Sequence, residues 1–269
     1  MTSGTLAARV APPVALGGRA RHVFERNMLV YRRGWLVIFS GFFEPIFYLF
    51  SIGIGIGALV GEVEVPGLGP VEYAVFVAPA LLASAAMNGA VFESTMNIFF
   101  KLKYAKTYDA MLSTPLKVRD IAIGEIGWSL TRGALYAIGF LIVQFSMGLM
   151  PSAWGFLALP VALLIGFAFG AVGMALTTFM KSWQDFDLVN FAVLPLFLFS
   201  ATFYPIDVYP VAIQWVVRLS PLYHGVELMR GFSLGAFRLS MVGNAAYLAV
   251  LGLIGVVIAK RRLGVLLLK

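Results

Sequence analysis

Six apolar stretches separated by short polar segments constrain this chain more than any motif in it. They run from 35 to 58, 73 to 97, 121 to 147, 154 to 180, 188 to 203 and 242 to 259. Most reach the roughly 17–25 residues that a helix needs to cross a hydrocarbon core. Because no water inside lipid can satisfy backbone N–H and C=O groups, such runs must close their hydrogen bonds internally as helices. The wider composition agrees: 60% of residues are hydrophobic and 12% charged, against roughly 45–50% and 25% in a soluble domain. The sequence therefore predicts an all-α polytopic membrane protein with six transmembrane helices in one domain, 35 to 269.

The basic residues orient these spans. Of 20 Lys and Arg, all but Arg132, Arg218, Arg230 and Arg238 lie in the first 33 residues, between 101 and 119, at Lys181, or in the last ten residues. The segment from 59 to 72 instead carries Glu62, Glu64 and Glu72 with no base. Positively charged loops stay on the cytoplasmic side, which puts both termini there and agrees with an even number of spans. Although the formal net charge is +7, the bases flank apolar spans and form no aromatic-interleaved stripe, so anionic lipid headgroups fit them and nucleic acid does not. Residues 1 to 18 read as a disordered cytoplasmic tail. Residues 19 to 34 read as an amphipathic helix on the membrane surface, with Phe24, Met28, Tyr31 and Trp35 at helical spacing.

Two further local patterns stand out. Gly53, Gly57 and Gly61 recur at four-residue steps, a spacing that lets a neighbouring helix approach closely. The segment from 204 to 241 holds two semi-apolar pieces split by Pro221, each too short to span and too apolar to float in water. It is expected to form a re-entrant helical hairpin on the outer side between helices 5 and 6; the alternative is a pair of helices lying on the interface. Arg218, Arg230 and Arg238 fall here, against the charge rule, and Asp207 and Glu227 are available as their partners.

Charged residues inside spans are costly, which makes them candidates for function. Glu44 and Arg132 both fall near mid-membrane, and a pair between spans one and three would remove two charges at once. Arg132 also stands seven residues from Glu125 on one helix face, and Glu93 lies at similar depth on span two. Two readings stay open: a static ion pair that fixes helix register, or a charged element that repacks during transport.

The inventory leaves little room for catalysis. There is no Cys, and His22 and His224 fall on opposite sides of the predicted membrane, so no thiolate or two-His metal site and no Ser-His-Asp arrangement can be assembled within one chain. No GxxxxGK(S/T) phosphate loop is present. Active transport must draw on an ion gradient, in which case Glu44, Glu93 and Arg132 would relay protons, or on a partner that hydrolyses nucleotide. Against the first, spans one to three show no echo in spans four to six of the kind common in gradient-driven carriers.

Four passages carry a resemblance: FFEPIFYLFSIGIGIG at 42 to 57, YAVFVAPALLASAAMNGAVFES at 73 to 94, KLKYAKTYDAMLSTPLKVRDIAIGEIGWSLTRG at 101 to 133, and SATFYPIDVYPVAIQWVVRLSPLYHGVELMRG at 200 to 231. In these the chain resembles the membrane-spanning subunits of type-2 ABC exporters, and among them the permeases of nodulation lipo-oligosaccharide and bacterial drug exporters. The resemblance implies a multi-pass subunit of the bacterial inner membrane that moves an amphipathic lipid-like, glycolipid or drug cargo outward. It would pair with a second copy or a related permease, and with two separate ABC ATPase subunits that hold ATP and Mg. It further implies a coupling helix at about 101 to 114, with Lys103, Tyr104, Thr107, Tyr108 and Asp109 facing the ATPase, and a second contact at Trp183. The cargo route would draw on Phe43, Phe47, Met87, Asn88, Asn190, Phe197 and Phe199. An extracellular gate would be built from Tyr204, Pro205, Trp215, Tyr223, His224, Glu227 and Arg230. No cofactor or metal is expected in the chain itself.

Overall fold

A computed structural model describes residues 18–33, 43 and 46–267. Its elements in chain order are α1 (Ala20–Arg33), α2 (Ile46–Val60), β1 (Glu62–Val65), β2 (Gly69–Glu72), α3 (Tyr73–Tyr104), α4 (Thr107–Leu112), α5 (Val118–Ser146), α6 (Ala153–Thr177), α7 (Asp185–Leu198), α8 (Val211–Leu219), α9 (Pro221–Leu234) and α10 (Ser240–Leu267). Among the described residues, α3, α5, α6 and α10 are long and apolar enough to cross a membrane. The other two expected spans are shorter here. α2 adjoins residues outside the described set, and α7 ends at Leu198, where Phe199 leaves helical geometry four residues after Pro195.

Three elements depart from expectation. The acidic connection is not a plain loop: Val63, Val65 and Val71 alternate with polar or turn residues, and β1 pairs antiparallel with β2 around Gly67 and Gly69, both at positive φ. Such a hairpin is the local solution for period-two apolar patterning. Gly61 does not serve helix packing. At φ +74° it closes α2, with open space around it, while Gly53 and Gly57 face Ala74 and Tyr73 at the start of α3. α3 continues past the predicted end of span two to Tyr104 through two stretches of wide π-type turns, so Lys101, Lys103 and Tyr104 belong to a span-derived helix. The break comes at Lys106, whose φ of 48° is left-handed, and the separate helix α4 is only six residues long.

α6 lies at the centre, against α3, α5, α9 and α10. α6 and α10 cross with their backbones close: a Cβ at Gly255 would lie 2.7 Å from the Ala171 carbonyl carbon, and one at Gly252 would overlap the Phe167 ring. Without a hydrophobic drive between helices in lipid, this close backbone approach is the main source of association. Gly255→Val is expected to push α10 off α6, costing about 1–3 kcal/mol as an overpacking change. Thermal unfolding in detergent should show a lowered midpoint, whereas Gly264→Ala, with nothing within 4 Å, should leave it unchanged.

The apolar core divides in two. The larger part joins α3, α5, α6, α9 and α10 and includes Leu82, Met87, Phe140, Ile165 and Leu248. A second cluster, at the end of the bundle that carries most of the basic residues, joins α1 through Val23, α3 through Ile98 and Leu102, α4 through Tyr108 and Met111, α5 through Ile121, and α10 through Leu263. This end is called the basic end below, and the opposite one the far end. α1 therefore packs on protein. Its inward residues are Ala20, Val23 and Asn27, while Met28 is exposed, an offset of one position from the stripe read in the sequence. The docking depends on Gly124 of α5, where a Cβ would lie 2.6 Å from Val23 and 2.8 Å from the Ala20 carbonyl oxygen.

Candidate functional site: a charged cluster beside an amphipathic cavity

The buried charges pair differently from either expected arrangement. Arg132 of α5 does not pair with Glu125; its Nη1 makes a very short ion pair with Glu93 of α3. Nη1 also donates to the Tyr31 hydroxyl at 2.9 Å, and Nη2 donates to the Tyr136 hydroxyl at 2.8 Å. The guanidinium carbon stands 4.7 Å from the centre of the Tyr31 ring. On the other side of Glu93, Asn97 Nδ2 donates to Oε1 at 2.5 Å. α1, α3 and α5 thus converge on one carboxylate, which fits the requirement that a buried charge be both paired and hydrogen-bonded. Burial and the Glu93 carboxylate push the Tyr31 phenol up to about 12, so it remains a donor at neutral pH. Glu44 lies outside the described residues.

Glu125 belongs to a second cluster about two turns nearer the basic end. Lys101 Nζ donates to its two carboxylate oxygens at 3.0 and 2.8 Å and to Asn27 Oδ1 at 2.9 Å, and Asn27 Nδ2 donates to Glu125 Oε2 at 3.0 Å. Trp128 separates the two clusters, packed edge-on by Phe24 at 5.6 Å and tilted against Tyr31 at 5.1 Å. Sequence reasoning missed Asn27, Tyr31, Asn97, Lys101 and Tyr136. A signal was present: Glu93, Asn97 and Lys101 follow at steps of four, a continuous polar stripe that marks one helix face running beyond the expected end of span two.

The Arg132–Glu93 cluster forms one wall of a cavity of about 570 Å³. Asn88, Ser84 and Tyr136 add polar groups, and Tyr48, Phe92, Phe100 and Phe197 supply aromatic and apolar surface. The Asn88 Oδ1 is buried with no hydrogen-bond partner among the described residues. A space of this size with apolar walls and a few convergent polar groups is the usual form of a small-molecule site.

Of the route residues expected from the resemblance, Asn88 and Phe197 line this cavity. Met87 does not. It is fully buried in the core on the opposite face of α3, because adjacent helical residues point about 100° apart. Phe43 and Phe47 stack on each other at 6.1 Å away from the cavity lining. Asn190 faces a smaller pocket shared with Asn88, and Phe199 lies against Tyr209 at the far end.

At the basic end, Tyr104 and Asp109 are exposed, and Lys103 and Thr107 are half-buried. Tyr108 cannot face a partner, since it is completely buried in the second core. Burial and the neighbouring Glu125 carboxylate hold its phenol well above the ordinary value. Trp183, read as a contact beyond the membrane, lines the mouth of the cavity and packs on Phe186 at 5.0 Å. Asp185 caps the turn before α7, accepting from the backbone N–H groups of Lys181 and Ser182, which hold its carboxyl below the usual range.

At the far end, the 204 to 241 segment forms two helices, α8 and α9, joined through Ser220. α9 is buried among α3, α6 and α10, and α8 leaves Trp215 exposed. Tyr204 packs tilted against Tyr209 at 4.8 Å, Pro205 and Tyr223 line a polar pocket, and His224 Nδ1 lies 2.8 Å from Asn244 Oδ1. The three arginines do not pair with Asp207 or Glu227. Arg230 donates to the carbonyl oxygens of Phe76 and Thr202 and lies over the Phe76 ring, Arg218 lies over Trp215, and Arg238 donates to the Pro66 carbonyl. Backbone carbonyls replace the carboxylates because α9 inserts beside the start of α3, which brings Phe76 O and Thr202 O within reach of Arg230.

Comparison with known proteins follows this geometry. A family model described as ABC-2 type transporter matches residues 19–233, which covers both charged clusters, the cavity, α8 and all but the last residue of α9. The chain is 34% identical over 215 residues to Nodulation protein J of Rhizobium leguminosarum bv. trifolii, covering 79% of this chain and 80% of the relative. It is 31% identical to Nodulation protein J of Rhizobium meliloti (strain 1021), covering 80% of each. A third relative, Nodulation protein J of Azorhizobium caulinodans, is 24% identical over 77% of this chain and 81% of its own length. With the family match spanning most of its length and these relatives aligned over four-fifths of theirs, the chain belongs to the ABC-2 type transporter family of membrane proteins.

Proposed function

We propose that this chain is the permease subunit of an ATP-driven exporter for an amphipathic cargo, a lipid-linked saccharide before a drug, with ATP hydrolysed on separate ABC ATPase subunits. The observation that carries the reading is the 570 Å³ cavity, polar along the Arg132–Glu93 wall and aromatic opposite. Such a wall matches a molecule with a hydroxylated head and an apolar tail. The relatives named for nodulation favour a lipo-oligosaccharide-like cargo over other amphiphiles. In this reading the basic end faces the cytoplasm of a bacterial cell, consistent with the positive-inside rule, and α1 lies at the inner membrane surface. The same reading has the chain cross the membrane six times, with α2 and α7 as the two shorter spans and α8–α9 as a re-entrant gate on the outer side.

The ATPase would dock below α4. Tyr104 and Asp109 supply exposed groups there, and the buried Tyr108 anchors α4 in a core shared with α1, α3, α5 and α10. A push on α4 is thereby passed to the helices that build both charged clusters. Nucleotide binding drives the cycle only if the ATPase prefers one permease conformation, since equal affinity for both shifts nothing.

The test is copurification and transport. Tyr104→Ala with Asp109→Lys should cut recovery of the coexpressed ATPase about tenfold or more, the effect of losing roughly 1.4 kcal/mol or more at an interface, with unchanged thermal stability of the permease. ATP-dependent movement of a lipo-oligosaccharide into inverted vesicles should fall with it. Cargo movement by the purified chain down a proton gradient, without any ATPase, would overturn the reading.

A further inference from the structure

The far end holds a second cavity of about 290 Å³, set between the β1–β2 hairpin, the 204–208 segment, α9 and the start of α10. Arg218, Arg230 and Arg238 line it together with Asp207, Glu227 and Tyr223. None of the three guanidinium groups has a carboxylate within 4 Å among the described residues. Arg230 is the central one: it is only 6% exposed, and its Nε and Nη2 donate to Phe76 O at 3.2 Å and Thr202 O at 2.9 Å. Those bonds use two of a guanidinium's five N–H donors and fix the plane of the group, but carbonyl oxygens do not neutralise its charge.

A buried cation held rigidly by neutral acceptors is costly unless a counter-charge approaches it. Two carboxylates share the cavity with three guanidinium groups, leaving one positive charge in excess. Arg218 and Arg238 stand at the exposed rim, where a long-range field draws in an anion, and Arg230 waits inside with fixed donors. Guanidinium donors match the geometry of carboxylate, sulfate and phosphate oxygens.

We propose that this cavity binds a singly charged anionic head group, a carboxylate, sulfate or phosphate. As a station for departing cargo it rests on the export reading above; as an anion site it does not. The assignment makes the outer end of the route selective for charge, whereas the inner cavity is built for an amphiphile of balanced polarity.

The test uses the full chain in zwitterionic lipid nanodiscs without ATPase, and compares binding of dodecyl β-glucuronide with the uncharged dodecyl β-glucoside by tryptophan fluorescence, Trp215 lying against Arg218. The glucuronide is expected to bind about tenfold more tightly at low salt. Arg218→Gln with Arg238→Gln, both exposed positions outside the core, should remove most of that preference while leaving the glucoside unchanged. If millimolar inorganic sulfate displaces the glucuronide, the site takes free anions; if only phosphatidylglycerol in the disc does, it takes lipid head groups. Either result upholds the anion site. Equal binding of the two detergents by the wild-type chain, or a preference that survives in the double variant, overturns it. Equal binding with ATP-driven transport intact removes this site and leaves the export reading standing. Loss of transport coupling with the preference intact does the reverse.

Discussion

Arg132→Ala should leave little folded protein in the membrane. The substitution strips Glu93 of its cation and the Tyr31 and Tyr136 hydroxyls of their charged donor, and uncovers a carboxylate that is 7% exposed. Removing one member of a buried pair costs about 3–5 kcal/mol, of the order of the whole stability of many domains. The decisive comparison is the double variant Arg132→Met with Glu93→Met. Apolar replacement of both partners is often neutral for stability, so folded yield and thermal midpoint should return close to wild type. If transport returns as well, the pair is a static fixture of helix register. If the fold returns and transport does not, the pair contributes to cargo contact or to the conformational cycle. Recovery of neither would show that the hydrogen bonds to α1, and not the charges, hold the three helices together.

Glu125→Ala should have an effect of similar size but a different address. It leaves Lys101, 8% exposed, without its carboxylate, and breaks the Asn27–Glu125 hydrogen bond that ties α1 to α5. The same range of about 3–5 kcal/mol applies. Because this cluster lies beside the buried Tyr108, the damage should spread to α4. Hydrogen exchange should rise first in α1 and α4, and recovery of the ATPase partner should fall even in the fraction that remains folded. Lys101→Met with Glu125→Met should restore protection in both helices. A uniform rise of exchange across α3, α5 and α6 would instead mean that the cluster supports the whole bundle and has no special link to the basic end.

These two clusters also mark how far the residues alone could be read. The membrane-spanning character and the split at Pro221 were legible, because each rests on the local balance of apolar and polar groups. That Glu93, Glu125 and Arg132 mattered was legible too, since charge inside an apolar run is costly wherever it pairs. Which groups pair was not. Arg132 had two plausible acceptors in the sequence and took a third, Glu93, because α3 and α5 cross at the depth where those residues meet. Met87 and Asn88 differ by one position, yet one faces the core and the other the cavity. Tyr108 looked like a residue for a partner and is an anchor, since it is buried in a cluster that residues of α1, α3, α5 and α10 share.

What the sequence determined by itself is whatever can be decided one segment at a time: helix against loop, span against surface, and which end carries the positive charge. These depend on the free energy of each segment against lipid or water, which needs no knowledge of neighbours. What only the tertiary structure decided is the pairing of Arg132 with Glu93 and of Lys101 with Glu125, the insertion of α9 that turns Arg230 toward backbone carbonyls, and the two cavities. Those depend on crossing depth and helix rotation, which are set by close contacts such as Gly255 on Ala171 and Gly124 on Val23. In lipid such contacts, more than hydrophobicity, choose the partners.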